Sequence, residues 1–148
     1  FIPICFFKGE AMSNKTVMIV DDSTIMRAVI GDMLKGVSGL EVVATAANGK
    51  DALKQLGKVR PDLILLDIEM PEMDGLEFLR HVRLKSRARV IVLSSVTPMG
   101  SNKAVQARML GADGLVSKPS GAVSYDLEQK RGSELVEMAY RVLGIAAA

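Results

Sequence analysis

The chain of 148 residues is 49% hydrophobic, which suits one domain with a buried core and leaves too little for a second. Its 19 basic and 17 acidic side chains nearly balance, so we expect neither a polyanion-binding tail nor a nucleic-acid partner. One cysteine excludes an internal disulfide framework, and no apolar run reaches the roughly 20 residues of a membrane-spanning helix. We therefore expect a cytoplasmic protein without a membrane partner.

The first residues, 1–11, read FIPICFFKGEA and precede Met12. No basic region stands before their apolar stretch, and no small-residue cleavage site follows it, so a secretory signal is disfavoured. We interpret residues 1–11 as an upstream translated segment or an expression remnant. Residues 12–148 are expected to form the domain.

After Met12, short β-branched apolar runs alternate with longer stretches of helical period. This alternation is typical of βα units in a parallel sheet that is covered on both faces. The predicted strands are Thr16–Val20, Glu41–Ala44, Asp62–Leu66, Arg89–Leu93 and Gly114–Ser117.

The helical segments carry apolar residues at spacings that fall on one helix face. In the first segment, Ser23–Lys35, that face would consist of Ile25, Val29, Met33 and Leu34, and Ser23 or Asp22 can cap the helix. The other predicted helices are Asn48–Lys58, Glu72–Leu84, Pro98–Leu110 and Ser133–Leu143. Glycines stand where three helices should end, at Gly36, Gly111 and Gly144.

Five βα units predict an α/β fold, a five-stranded parallel sheet that is doubly wound, (βα)5 and flavodoxin-like, with strand order 2-1-3-4-5. In such a sheet the ligand site lies at the carboxyl ends of the strands. The polar residues that follow the predicted strands are Asp21, Asp22, Asp67, Ser94, Ser95 and Lys118.

These residues predict a site for a cation and a phosphoryl group. Three carboxylates at one edge repel one another unless a cation neutralises them, and an all-oxygen set suits a hard ion such as Mg²⁺. Lys118 and the Ser94 hydroxyl offer the positive charge and the donor that phosphoryl oxygens need. An acidic pair after a strand is by itself more often a helix cap. The prediction therefore rests on the occurrence of all these residues at successive strand ends of one predicted sheet.

Four segments resemble the response-regulator receiver domain of two-component signalling, and the resemblance extends over roughly Lys15 to Gly144. The segments are VMIVDDSTIMR, LILLDIEMPEMDG, VIVLSSV and GADGLVSKP, in the order and approximate spacing of the family. The stretches VLSSVTPMG and KPSGAVSYDLEQKRGSEL look most similar to receivers of chemotaxis protein-glutamate methylesterases.

The resemblance implies a role for each residue of the site. Asp67 would be the phospho-acceptor, and Lys118 would hold the phosphoryl group. Mg²⁺, or Mn²⁺, would be coordinated by Asp22, Asp67 and the backbone carbonyl of Glu69, with Asp21 acting through water. Ser94 would be the switch hydroxyl, and Pro119 matches a proline that commonly follows a cis bond.

The implied function is a switch that takes a phosphoryl group from a histidine kinase or a small acyl phosphate, without turning over an external substrate. An effector protein would then bind through the fourth helix, the fifth strand and the fifth helix. Leu115 stands where many members carry a switch aromatic, so signal transmission is expected to differ here.

Two alternatives remain open. The chain could be the regulatory domain of a methylesterase whose catalytic domain is absent, since it has no G-x-S-x-G segment and its only histidine, His81, lies on a predicted helix away from the acidic residues. It could also be a binding module that no longer takes a phosphoryl group and acts by contact alone, although the three aspartates and Lys118 are all present. A basic cluster is interpreted as a solvated helix end, namely Arg80, Arg83, Lys85, Arg87 and Arg89.

Overall fold

The computed structural model describes residues 14–68, 75–94, 102–117 and 125–144. Strands and helices alternate along the chain as β1 (Lys15–Val20), α1 (Thr24–Leu34), β2 (Leu40–Ala46), α2 (Gly49–Val59), β3 (Leu63–Asp67), α3 (Gly75–Lys85), β4 (Arg89–Ser94), α4 (Asn102–Met109), β5 (Gly114–Ser117) and α5 (Tyr125–Leu143). All neighbouring strands pair in parallel, in the order β2-β1-β3-β4-β5. The predicted fold class and strand order are confirmed.

The sheet is covered by helices on both faces, and β3 shows why its strands are apolar throughout. Successive side chains of a strand point to opposite faces. Leu63 and Leu65 pack in the cluster with buried residues of α1 and α5, whereas Ile64 and Leu66 pack in the cluster with α2, α3 and α4. Both faces of the strand are therefore buried, and a polar side chain is expected only at its carboxyl end.

The predicted buried face of α1 is wrong for Ile25 and confirmed for Leu34. Ile30 and Leu34 are buried and Met26 packs partly against them, whereas Ile25 is 73% exposed. The helix carries two apolar rows at i, i+4 spacing, and the periodicity favours neither of them. Packing against the sheet selects the row that begins at Met26.

Helix α5 begins at Tyr125 and not at the predicted Ser133. Residues 126–131, DLEQKR, are compatible with a helix, and Gly132 within it costs only about 1 kcal/mol relative to alanine. Among the described residues, no helix is both long and apolar enough to cross a membrane, α5 included. The predicted starts of the third and fourth helices, Glu72 and Pro98, lie outside the described residues.

The three predicted helix-ending glycines have the expected backbone. Gly36, Gly111 and Gly144 adopt φ values of 81°, 102° and 72°, in the left-handed region that other residues rarely enter. Helix α2 ends differently, on Arg60 with φ 51° and ψ 62°. Arg60 is the one non-glycine residue with positive φ in the part of the chain that the structure describes.

The basic cluster is only partly a solvated helix end. The Arg83 side chain is 29% exposed, lies 4.0 Å from Asp113 and donates to the backbone carbonyl of Ala88. Arg89 also pairs with Asp113, at 3.4 Å. The interpretation is wrong for Arg83, because its partly buried side chain is held by Asp113 and Ala88. Arg89 stays 57% exposed, as expected, although it begins β4 and pairs with Asp113. Arg80, Lys85 and Arg87 are exposed, as expected.

Candidate functional site

Strand register brings Asp21 and Asp67 to the same level of the sheet. Val20, the last residue of β1, pairs with Leu66 of β3, and each is followed directly by an aspartate. The Asp21 amide also donates to the Ala46 carbonyl at 3.0 Å, which continues the pairing with β2. Both aspartates therefore lie at the carboxyl edge of the central strands, where parallel α/β sheets place their ligand sites.

Three carboxylates meet at this edge. Asp21, Asp22 and Asp67 each offer one oxygen, and these oxygens lie within 4.8 Å of one another. Asp21 and Asp67 are fully buried, and Asp22 is exposed. In an octahedral Mg²⁺ site with bonds of about 2.1 Å, ligand oxygens are about 3 to 4 Å apart. The carboxylates thus fit a small divalent ion after a slight contraction, and the ion would relieve their mutual repulsion.

Ser23 shapes the turn that carries the first two aspartates. Its amide donates to Asp21 Oδ1 at 2.9 Å, and its hydroxyl accepts from the Met26 amide at 3.1 Å as the N-cap of α1. The capping choice left open between Ser23 and Asp22 is thereby settled. Because Ser23 caps the helix, the Asp22 carboxylate can take part in the acidic cluster.

Arg27 is a residue of the site that the sequence analysis missed. Its Nη1 donates to the Asp21 carbonyl at 2.6 Å, and its Nη2 donates to the Thr24 hydroxyl at 3.2 Å. The guanidinium therefore links the first turn of α1 to the end of β1. A signal was present in the sequence, since Arg27 follows Ser23 by one helical turn and can reach back along the helix.

The predicted switch hydroxyl lies on the neighbouring strand. Ser94 is buried and ends β4, one residue beyond Leu93, which pairs with Asp67. On its other side Ser94 pairs with Ser117, the last residue of β5. The structure thus places Ser94 on the strand next to Asp67, at the same sheet edge as the acidic cluster.

Three of the remaining sequence predictions lie outside the described residues, namely Glu69, Lys118 and Pro119. Lys118 follows Ser117 directly in the sequence. Leu115 is partly buried and packs against the core cluster that includes α2, α3 and α4. His81 lies in α3 and is not part of the acidic cluster found among the described residues.

Comparison with known proteins agrees with this arrangement. Residues 17–125 match the family model of the response regulator receiver domain. The chain is 47% identical over 119 residues to a protein-glutamate methylesterase/protein-glutamine glutaminase of Halalkalibacterium halodurans, and the match covers 80% of this chain but 34% of that protein. The chain therefore spans about a third of the length of such relatives.

Solved structures show the same likeness. The response regulator domain of Thermotoga maritima CheB superimposes with a TM-score of 0.80 at 32% identity, covering 90% of this chain and 98% of that one. A chain from the complex of the CheA3 P1 domain with CheY6 of R. sphaeroides gives 0.76 at 50% identity, covering 89% and 98%. Together with the strand order and the acidic cluster, these matches show that the chain belongs to the response regulator receiver domain family.

Proposed function

We propose that Asp67 accepts a phosphoryl group from a phosphohistidine of a histidine kinase. An oxygen of the Asp67 carboxylate attacks the phosphorus as the P–N bond to the imidazole breaks. The imidazole keeps the bonding electron pair and takes up a proton, and the product is an acyl phosphate on Asp67. The observation that carries this proposal is the position of Asp67 at the end of the central strand β3, within a cluster of three carboxylates.

We propose that the cluster holds Mg²⁺, with Mn²⁺ as a substitute. Asp22, Asp67 and the backbone carbonyl of Glu69 would be direct ligands, and Asp21 would act through water. When bound, the cation neutralises charge that otherwise keeps an anionic phosphoryl donor away from a carboxylate. The three carboxylates within 4.8 Å of one another support this assignment.

The phosphoryl group would be held by Lys118 and by the Ser94 hydroxyl. Ser94 is buried one strand away from Asp67, so a small displacement of its side chain would alter the packing around β4 and β5. Such a displacement shifts an equilibrium between two states of the domain and does not build a new structure. The receiver is thus a switch and not an enzyme with an external substrate.

The proposed output surface consists of α4, β5 and α5. A cleft of about 680 Å³ lies along it, with Arg108, Leu115, Met138 and Arg141 among its lining residues. On α4 the apolar side chains Val105 and Met109 are 50% and 81% exposed. An effector protein with an apolar centre and acidic flanks would suit this surface. Leu115 within the cleft means that no aromatic ring swings at this position.

Intact mass measurement tests the proposal. The native chain, the variant Asp67→Asn and the control variant Glu41→Gln are each incubated with acetyl phosphate, once in Mg²⁺ and once in excess EDTA. Glu41 is an exposed carboxylate on β2. We expect a gain of one phosphoryl group that requires the metal, occurs in the control and is absent from Asp67→Asn. Equal phosphorylation of Asp67→Asn would refute the assignment of the acceptor.

A second candidate is that the chain is the regulatory part of a chemotaxis protein-glutamate methylesterase. The coverage of the methylesterase relative, 34% of its length, supports it. The chain itself has no G-x-S-x-G segment, so the esterase reaction would belong to another part of the protein. Reading the gene beyond the codon for Ala148 separates the two candidates, because an in-frame esterase favours the second and a stop codon the first. Either protein would work in the cytoplasm, where its phosphate donors are made.

A further inference from the structure

A groove of about 910 Å³ lies at the opposite end of the molecule from Asp67. Five cationic side chains line this basic groove, namely Lys15, Arg60, Lys85, Arg87 and Arg89. Lys15 and Arg89 are the first residues of β1 and β4, and Arg60 follows the last residue of α2. The groove is therefore formed at the amino ends of the parallel strands.

Among the described residues, four of the five cationic side chains of the groove have no ion-pair partner. In residues 14–68, 75–94, 102–117 and 125–144, no ion pair or side-chain hydrogen bond involves the cationic groups of Lys15, Arg60, Lys85 or Arg87. The carboxylate in the groove, Asp62, accepts from the Thr16 amide at 2.9 Å and from the Thr16 hydroxyl at 3.2 Å. Asp62 thus serves the pairing of β1 with β3, and the net charge of the groove stays positive.

Helix dipoles explain only part of the positive charge in the basic groove. Helices of a parallel α/β fold end at this edge of the sheet, and cations are favourable in their last turns. Lys85 fits that explanation, because it ends α3. Arg87 lies in the loop after α3 and Lys15 begins β1, so helix dipoles do not account for these two charges. Arg89 begins β4 and pairs with Asp113.

The backbone of Arg60 is a second, independent observation. At φ 51° and ψ 62° it closes α2 in the left-handed conformation, and its amide donates to Leu56. Glycine or asparagine is the usual residue at such a helix end, since a longer side chain strains the backbone. Arg60 therefore stands where the backbone conformation does not favour an arginine, and residues strained in this way are often found at binding sites.

We propose that the basic groove binds an acidic polypeptide segment of a partner protein, with Arg60 and Arg87 as its main contacts. Leu53, Leu56 and Leu143 also line the groove and offer apolar contact to the side chains of such a segment. No aromatic residue is among the described side chains that line it, whereas single-stranded nucleic acids are usually held by stacking on aromatic rings. Because the groove is remote from Asp67, this partner can bind whether or not Asp67 is phosphorylated.

Fluorescence anisotropy tests the proposal, with a labelled short peptide of glutamates interspersed with leucine as the probe. A peptide with glutamine in place of each glutamate and a single-stranded oligonucleotide of equal charge serve as comparisons. The variant carries Arg60→Gln and Arg87→Gln. The matched control carries Lys50→Gln and Lys54→Gln, two exposed cations of α2 outside the groove, so both proteins lose the same charge.

We expect the acidic peptide to bind the native chain, with an affinity that falls as salt rises. The dissociation constant should increase about fivefold or more in the groove variant and less than about twofold in the control. Arg60→Gly should raise the melting temperature, because glycine relieves the left-handed backbone, and yet weaken binding. A higher melting temperature together with weaker binding would show that the variant loses the binding site and keeps the fold.

Three results would overturn the proposal. One is no binding of the acidic peptide at low salt. Another is an equal loss of affinity in the groove variant and in the control, which would show a general charge effect. The third is tighter binding of the oligonucleotide than of the peptide, which would assign the groove to nucleic acid.

Discussion

Arg27 donates a hydrogen bond of 2.6 Å to the backbone carbonyl of Asp21, and so connects the first turn of α1 to the residue that follows β1. Asp21 in turn accepts from the Ser23 amide at 2.9 Å. The backbone at Asp21 is therefore held in part by the guanidinium of Arg27, a residue outside the acidic cluster.

We predict that Arg27→Met weakens both the fold and the metal site. Methionine keeps the aliphatic length but cannot donate, so the free energy of unfolding should fall by about 1 to 2 kcal/mol. The Mg²⁺ affinity should fall several-fold, because the turn that holds Asp21 and Asp22 loosens. Urea denaturation in EDTA and isothermal titration with Mg²⁺ measure the two effects. The control is Arg80→Met, an exposed arginine of α3, and unchanged metal affinity in Arg27→Met would contradict the prediction.

The acidic cluster should destabilise the metal-free protein. Asp67 is fully buried beside Asp21 and Asp22, so Asp67→Asn removes like-charge repulsion and should raise the free energy of unfolding by about 1 kcal/mol or more. The gain should shrink as Mg²⁺ is added, since the cation removes the same repulsion in the native chain. Thermal denaturation with and without Mg²⁺ measures it. A gain that does not change with Mg²⁺, or one that Glu41→Gln shares, would argue against the explanation.

Asp113 offers a test of the contacts between β4 and β5. Its Oδ2 accepts from the Val90 amide at 2.8 Å, and its amide donates to the Val90 carbonyl at 2.8 Å. Asp113→Ala leaves the buried Val90 amide without its acceptor and should cost about 2 to 3 kcal/mol. Asp113→Asn keeps an acceptor and loses only the pairs with Arg83 and Arg89, so it should cost less than about 1 kcal/mol. Urea denaturation of both variants distinguishes the contribution of the hydrogen bond from that of the ion pairs. Equal losses of unfolding free energy in the two variants would contradict the prediction.

The core under α3 depends on Phe78, which is fully buried. Phe78→Ala should lower the free energy of unfolding by about 3 to 5 kcal/mol, because the lost burial adds to the cost of a cavity. Leu84→Ala on the same helix is the control, since Leu84 is 84% exposed and such changes usually stay within about 0.5 kcal/mol. Chemical denaturation measures both. A comparable loss at Leu84 would mean that its exposed face is covered by another molecule.

The strands and the carboxylates at their ends were predictable from the sequence, because these depend on local patterns. The strand order followed from the doubly wound fold class that the alternation of strands and helices indicates. A strand buried on both faces needs a continuous apolar run, as in Leu63–Leu66, and its carboxyl end is where a polar residue such as Asp67 can stand. Once the strands are parallel, their carboxyl ends share one edge, so the meeting of Asp21 with Asp67 follows from topology alone.

Only the tertiary structure decided which face of α1 is buried and which partners the long charged side chains bind. Two apolar rows of α1 fit the helical period equally well, and only contact with the sheet buries Ile30 and leaves Ile25 exposed. The bond from Arg27 to Asp21 and the pairing of Arg83 with Asp113 join residues whose side chains could equally have stayed in water. Their positions are set by packing, because a long charged side chain gains little from any one surface partner and bonds where the fold places an acceptor.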